Sequence, residues 1–393
     1  MKEDFFKYQA QTTTHPLAME ISHAEGSYIY DKQGKAYLDF VAGVSANSVG
    51  HRHPEVVKAV KDQLDTYMHV MVYGEYIQEK AVALSKRLSE ILPDPIETTY
   101  LTNSGTEAME GAIKMARRFT GRSEIIAANK AYHGNTMGAL SIMGYEERKR
   151  PFRPLIPDVR FVEFNALDDL QHISNNTAAV VLETIQGGAG FILPDPGYLE
   201  TVSKACKANG ALLILDEIQP GIGRTGTMFG FEHFNCKPDI VVMGKGLGGG
   251  MPIGAFSASR AIMQTLSENP KLGHITTFGG HPVIASAALA TLDVIEKYNL
   301  MDEIASKEIL LRTTLKHNLI KEIRGKGLML AAIFPTPDLV NKLILRCQDR
   351  GLILFWLLFE PCAVRITPPL TITNQELIDG CQIIIEVLDE LQN

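Results

Sequence analysis

Two short apolar runs each end in a charge that a protein interior does not tolerate unpaired. Ala211-Leu212-Leu213-Ile214-Leu215 closes on Asp216, and Ile240-Val241-Val242-Met243-Gly244 closes on Lys245. Runs of this length, rich in Leu, Ile and Val and bounded by Gly or Pro, read as strands buried on both faces, the mark of a parallel sheet. In open α/β sheets ligands bind beyond the carboxyl ends of the strands. The carboxylate and the amine are therefore expected to meet at one site there.

Burial penalises both charged forms, so each group needs a partner or a use. A lysine with a depressed pKa is a nucleophilic amine that forms a Schiff base with an aldehyde. Pyridoxal phosphate carries such an aldehyde, and its ring nitrogen calls for a carboxylate to stay protonated as an electron sink. Lys245 and Asp216 suit those two roles. Taken singly, an Asp that caps a turn and a Lys in a solvated loop are the commoner readings of such residues.

The rest of the chain sets bounds. Its 393 residues, 45% apolar and 21% charged, suffice for two domains with a large core. The run Leu352-Ile353-Leu354-Phe355-Trp356-Leu357-Leu358-Phe359 is far too short to span a bilayer and is expected to be a core strand. Five scattered cysteines, none spaced C-x-x-C, argue against a disulfide framework and against a zinc site. The mixed-charge start Met1-Lys2-Glu3-Asp4-Phe5-Phe6-Lys7 lacks a leader's apolar stretch, so a cytoplasmic location is expected. A net charge of −7 without a basic block disfavours nucleic acid and anionic membranes as partners.

Strands are expected at 98–102, 124–128, 159–164, 178–184, 211–216 and 239–243. Helices at 107–119 and 197–208 alternate with them, the βαβ rhythm of a doubly wound sheet. The C-terminal hundred residues read as amphipathic helices at 290–298, 301–323, 337–350 and 374–391 around strands at 328–334 and 363–367. No linker separates the two halves, so the domains interleave. The expected division is a large cofactor-binding domain, 51–289, and a smaller α+β domain built from 1–50 together with 290–393.

The segments Asp216-Glu217-Ile218-Gln219-Pro220-Gly221-Ile222-Gly223-Arg224-Thr225-Gly226 and Gly244-Lys245-Gly246-Leu247-Gly248-Gly249-Gly250 together resemble the class III aminotransferases. This is the ornithine, acetylornithine and 4-aminobutyrate group of the fold type I pyridoxal-phosphate enzymes. The resemblance runs from about Glu25 to Leu391. It implies a homodimer with composite active sites, in which Lys245 carries the cofactor as a Schiff base and an amino group passes from an amino acid or ω-amine to a 2-oxo acid.

The same resemblance distributes further roles. Gly105 and Thr106, in Asn103-Ser104-Gly105-Thr106-Glu107, match the residues that hold the cofactor phosphate, as a helix N-terminus is suited to do; read alone, the segment is an ordinary N-cap. Tyr132 matches the ring that stacks on the pyridine, Gln219 the partner of its phenolic oxygen, and Glu183 an acid near the substrate. Thr276-Thr277-Phe278-Gly279-Gly280-His281-Pro282 resembles a segment whose second hydroxyl residue, here Thr277, reaches the phosphate of the neighbouring subunit's cofactor, with Thr276 beside it near the substrate. Arg365 matches the arginine that grips a substrate carboxylate. His51 and His53, in Gly50-His51-Arg52-His53-Pro54, have no clustered ligands around them and are assigned structural roles.

Two departures bear on the substrate. Family members usually carry Arg where this chain has Asn135, and Glu where Gln186-Gly187-Gly188 has Gly188. The first removes a second carboxylate anchor; the second removes an acid that neutralises the arginine at 365. The expectation is a monocarboxylate or ω-amino donor with pyruvate or glyoxylate as acceptor, and (acetyl)ornithine with 2-oxoglutarate as the runner-up. Racemase, epimerase and lyase chemistry on the same scaffold stays open, because the Schiff-base machinery is common to all. A dinucleotide-binding oxidoreductase is suggested by the G-x-G-x-x-G at Gly244–Gly249, but the following Gly250-Met251-Pro252 is unsuited to start the required helix. A non-enzymatic descendant would have no need to keep Asp216, Gln219, Lys245, Thr277 and Arg365 together.

Overall fold

The computed structural model describes residues 1–392. A seven-stranded sheet forms its centre, in the order Thr98–Thr102, Gly254–Ala258, Ile240–Gly244, Leu212–Asp216, Thr177–Glu183, Glu124–Ala128 and Val159–Val162. Pairing is parallel except at Gly254–Ala258, which runs antiparallel to both neighbours. The central strands are buried on both faces, and the alternation of strand side chains divides the core in two. Leu213, Leu215, Val180, Leu182, Val241 and Met243 face one apolar layer. Leu212, Ile214, Ala179, Val181, Ile240 and Val242 face the other, where helix Gly105–Thr120 lays down Ala108, Met109, Ala112, Ile113, Met115 and Ala116.

The strand Gly254–Ala258 has no apolar run to announce it. Its first residue must be glycine, since a Cβ there would stand 2.0 Å from the Ser104 carbonyl oxygen. The strand thus passes directly beneath the loop that opens helix Gly105–Thr120.

Two four-stranded sheets complete the fold. One joins Ile21–Glu25, Tyr28–Asp31 and Ala36–Asp39 to the C-terminal Leu352–Ile353, which pairs in parallel with Leu38 and Asp39. The other is antiparallel, in the order Glu322–Lys326, Met329–Ile333, Ala363–Ile366 and Phe355–Trp356. The expected core strand over 352–359 is therefore two short strands in different sheets, and Phe355 and Leu358, 39% and 40% exposed, lie at the mouth of a cavity rather than in the core. The expected helix over 301–323 is likewise broken. Helix Ile304–Thr314 stops before the polar Lys316-His317-Asn318, and the chain returns as strand Glu322–Lys326, hairpin-paired to Met329–Ile333 through Gly327 and Leu328. The boundary expected between 289 and 290 falls inside one continuous helix, Pro282–Lys297, which packs on helices Pro54–Leu64 and Glu79–Ile91. Among the described residues no helix is long and apolar enough to cross a membrane.

Candidate active site

The strand ends at 102, 183, 216 and 244 open on one cavity of about 410 Å³. Gly105, Thr106, Tyr132, Asn135, Glu183, Asp216, Gln219, Lys245 and Arg365 line it, so the structure brings these sequence-derived candidates together. Thr276 and Thr277 lie outside its lining. Thr277 is exposed, and the buried hydroxyl of Thr276 has no partner.

Parallel register sets Glu183 beside Asp216. The Asp216 carboxylate accepts from His133 Nδ1 at 2.8 Å and from the Ile218 amide at 3.0 Å. His133 is buried, and its Nε2 meets no partner. The sequence alone does not mark His133; its one signal is its place next to Tyr132. Glu183 accepts from the amides of Tyr132 at 3.1 Å and Gly187 at 3.0 Å. Burial pushes its carboxyl up to about 7; the neighbouring His133 opposes this and Asp216 adds to it.

Lys245 follows directly on strand Ile240–Gly244 and holds a left-handed φ of 40°, a strained conformation of the kind that collects at functional sites. The next turn is pinned by Ser48, whose hydroxyl donates to the Gly246 carbonyl at 2.7 Å. Lys245 is partly open to the cavity. Burial lowers its ammonium pKa; Asp216 and Glu183 resist the change and Arg365 reinforces it. After Lys245 the chain forms a 3₁₀ turn, Lys245–Gly248, and then strand Gly254–Ala258, so the helix that a dinucleotide fingerprint requires is absent there.

Arg365 projects from strand Ala363–Ile366 and is 4% exposed. Its Nε and Nη1 have no hydrogen-bond partner, its guanidinium lies 5.3 Å from the Phe191 ring centre, and burial lowers its pKa to about 10. Unsatisfied buried donors of this kind call for an anionic ligand. No acid reaches them from position 188: Gly188 lies against the Phe359 ring, 2.7 Å from where a Cβ would stand.

A second wall of the cavity went unnoticed in the sequence. Val44, Phe355, Trp356 and Leu358 line it together with Ile218 and Pro220. Val44 belongs to the run Ala42, Gly43, Val44, Ser45, all with φ between 50° and 67°, a left-handed turn. Asp39 holds it: one carboxylate oxygen accepts from the amides of Val41 and Ala42, the other from His51 Nε2 at 2.8 Å. No sequence signal marks a left-handed Val, since β-branching disfavours it.

A doubly wound sheet with a lysine and a histidine-backed aspartate at its carboxyl edge is the architecture of the fold type I pyridoxal-phosphate transferases. The family description "Aminotransferase class-III" matches residues 8–388, and the protein belongs to that family. It is 37% identical over 382 residues to an acetylornithine aminotransferase from Caldanaerobacter subterraneus subsp. tengcongensis, covering 94% of each chain. An ornithine aminotransferase from Toxoplasma gondii, described with partial occupancy of pyridoxal phosphate at its active site, superposes with a TM-score of 0.92. It is 29% identical, with 100% of this chain and 95% of that one covered. An (S)-enantioselective ω-transaminase from Thermomicrobium roseum gives 0.89 at 28% identity, with 100% and 98% covered. The protein is thus a pyridoxal-phosphate-dependent transaminase.

The residues present fit that cofactor. Helix Gly105–Thr120 points its first amides, those of Gly105 and Thr106, at the cavity, where the helix N-terminus favours a phosphate. A Cβ at Gly105 would stand 2.6 Å from Ile218 Cδ1, so close packing of the helix start on Ile218 requires glycine there. A carboxylate and an amine of depressed pKa complete the donor set.

Proposed function

We propose that Lys245 and Asp216 are the catalytic pair of this cavity, and that the carrying observation is their convergence there with Arg365, whose buried donors lack any protein partner. Bound pyridoxal phosphate supplies an aldehyde that bonds covalently to an amine and a ring that stores the electron pair left at the substrate carbon. Lys245 Nζ, kept basic enough to act but held low by burial, would take the proton from that carbon and deliver it two atoms along, at the carbon that carried the cofactor's aldehyde. Asp216 holds the ring nitrogen protonated, and His133 fixes the carboxylate that does so. The amides of Gly105 and Thr106 would hold the phosphate, with Tyr132 to pack on the ring and Gln219 to donate to its phenolic oxygen.

The substrate carboxylate goes to Arg365, with Glu183 and Asn135 on the same lining, whereas Thr276 stands outside the lining of its own subunit's cavity. The amino donor is an amino acid or ω-amine whose remaining chain lies along Phe355, Trp356 and Leu358. A second reading, (acetyl)ornithine as donor, is favoured by the name of the 37% identical relative. The working unit is a homodimer in which Thr277 reaches the phosphate of the partner's cofactor. In its favour, Thr277 is exposed in one subunit beside Phe278, 51% exposed, and Ile77 is 93% exposed. The division into 51–289 and 1–50 with 290–393 is kept, helix Pro282–Lys297 being shared across it. The cytoplasm suits five unpaired cysteines, four of them buried.

The test is a half-reaction screen: a panel of amines and amino acids is added to the holoenzyme and loss of the cofactor's visible band is followed, then its return with each 2-oxo acid. Carboxylate-bearing donors are expected to react, and Arg365→Ala to raise their KM on the order of tenfold to a hundredfold. Equal reaction of amines lacking a carboxylate, in both proteins, would remove Arg365 from the role.

A further inference from the structure

Asn135 leaves the Tyr132 side of the cavity without a cation of its own, and the nearest support for one comes from Arg148, which stands outside the lining against the ring of Phe359. Arg148 sits on the short helical turn Glu146–Lys149. Of the two acids on that turn, Glu146 is already taken, accepting from Arg153 at 2.8 and 2.9 Å and pairing with Lys149 at 3.7 Å, and the adjacent, exposed Glu147 makes no ion pair with Arg148. Among the described residues no carboxylate forms an ion pair with Arg148, and it is exposed.

Its guanidinium is placed rather than loose. The guanidinium carbon lies 5.7 Å from the centre of the Phe359 ring. That ring stacks on Tyr145 at 4.7 Å, and the Phe359 amide donates to the carbonyl of Gly188, a cavity residue, at 2.9 Å. Tyr132 packs against the small apolar cluster of Leu140, Met143 and Phe359, and its hydroxyl accepts from Asn135 Nδ2 at 3.1 Å. The charge of Arg148 is felt at Tyr132, where it opposes the rise that burial imposes on the phenol.

Resting on the reading of Arg365 as the first carboxylate anchor, we propose that Arg148 is the second: it takes the distal carboxylate of a dicarboxylate 2-oxo acid and sets the choice of acceptor. Two guanidinium groups, one buried in the cavity lining and one exposed beside Phe359, match a ligand with an anion at each end. A planar fork on an aromatic platform suits the distal group better than a flexible ammonium would. The departure at Asn135 moves this anchor and does not abolish it.

The experiment compares holoenzyme, Arg148→Ala, Arg148→Lys and the charge-matched control Arg150→Ala. The ratio of kcat/KM for 2-oxoglutarate to that for pyruvate is expected to fall about tenfold to a hundredfold in Arg148→Ala, to fall less in Arg148→Lys, and to hold in Arg150→Ala. The difference between the wild type and Arg148→Ala should shrink at high salt, as for an exposed charge. A binding arm needs no turnover. Trp356 is the single tryptophan and lines the cavity, so its fluorescence reports titration with glutarate against butyrate. Glutarate affinity should drop in Arg148→Ala relative to butyrate. An unchanged glutarate-to-butyrate ratio overturns the proposal, whatever the turnover data say. Wild-type enzyme that turns over neither acceptor, or Arg365→Ala that leaves butyrate affinity intact, speaks instead against the parent reading.

Discussion

The two ends of the cavity are built in different ways. At the cofactor end, Asp216 and Lys245 leave the tips of adjacent strands of one sheet, so a single register sets their spacing. At the substrate end, Asn135, Val44, Trp356 and Leu358 come from loops, tight turns or two-residue strands, tied by isolated contacts such as Trp356 Nε1 to Asn341 Oδ1 at 2.7 Å. A scaffold held by a sheet fixes chemistry, and loops mounted on it vary what is accepted. The comparison predicts large, substrate-independent losses from changes at the first end and smaller, substrate-dependent ones at the second.

The largest expected effect is at Lys245. Lys245→Ala should lower kcat by on the order of 10³- to 10⁴-fold with every donor, since the proton carrier is gone. Borohydride treatment of wild-type holoenzyme should fix the cofactor covalently to Lys245. A label on another lysine, or turnover retained in the variant, breaks the assignment. Asp216→Ala should follow, with kcat down about 10²- to 10³-fold and the donor ranking unchanged. A loss confined to one donor would move Asp216 to the substrate end of the comparison.

How far these groups were legible from the sequence depends on the same contrast. Strands such as Leu212–Asp216 announce themselves because burial on both faces demands an unbroken apolar run. Asp216 and Lys245 were visible because a charge closing such a run is costly without a use. Gly254–Ala258 was hidden because it has no run of large apolar residues and close approach to Ser104 requires glycine at its first position. The hairpin at Glu322–Lys326 was hidden because polar edge strands share composition with helix ends. His133, Val44 and Arg148 depend on pairings between distant segments, His133 with Asp216, Asp39 with the 42–45 turn, Arg148 with Phe359, and local pattern carries no record of those.

A smaller effect should appear as pH dependence of the cofactor-free protein. Glu183 and Glu217 are buried, and burial raises both carboxyls to about 7. Between the ordinary carboxylate range and about pH 7 the native state therefore holds more protons than the unfolded chain, so stability falls as pH rises through that window. The melting temperature should decline from about pH 5 to about pH 7, and Glu183→Gln should flatten part of the slope. A melting temperature that rises over this range contradicts the sign and would place a compensating cation beside these acids.

The smallest and most selective effect is expected at Val44. A left-handed turn costs a non-glycine residue on the order of 1–2 kcal/mol, and Val44 is the bulkiest of the four that adopt it here. Val44→Gly relieves that strain, against an entropic cost of about 0.5–1 kcal/mol for glycine. The variant should be unchanged in stability or gain up to about 1 kcal/mol. The same change removes a side chain from the cavity wall opposite no sheet register, so kcat with small donors should persist while bulkier donors gain several-fold in kcat/KM. Denaturant titration and a donor series graded by size read the two halves separately. Loss of stability with no change in selectivity would mean that Val44 is packed for the fold, and the substrate end would then be as rigidly built as the cofactor end. Gain of stability with relaxed selectivity would show strain maintained in the turn because the wall it builds discriminates among substrates, with Asp39 and His51 as the groups that hold it in place.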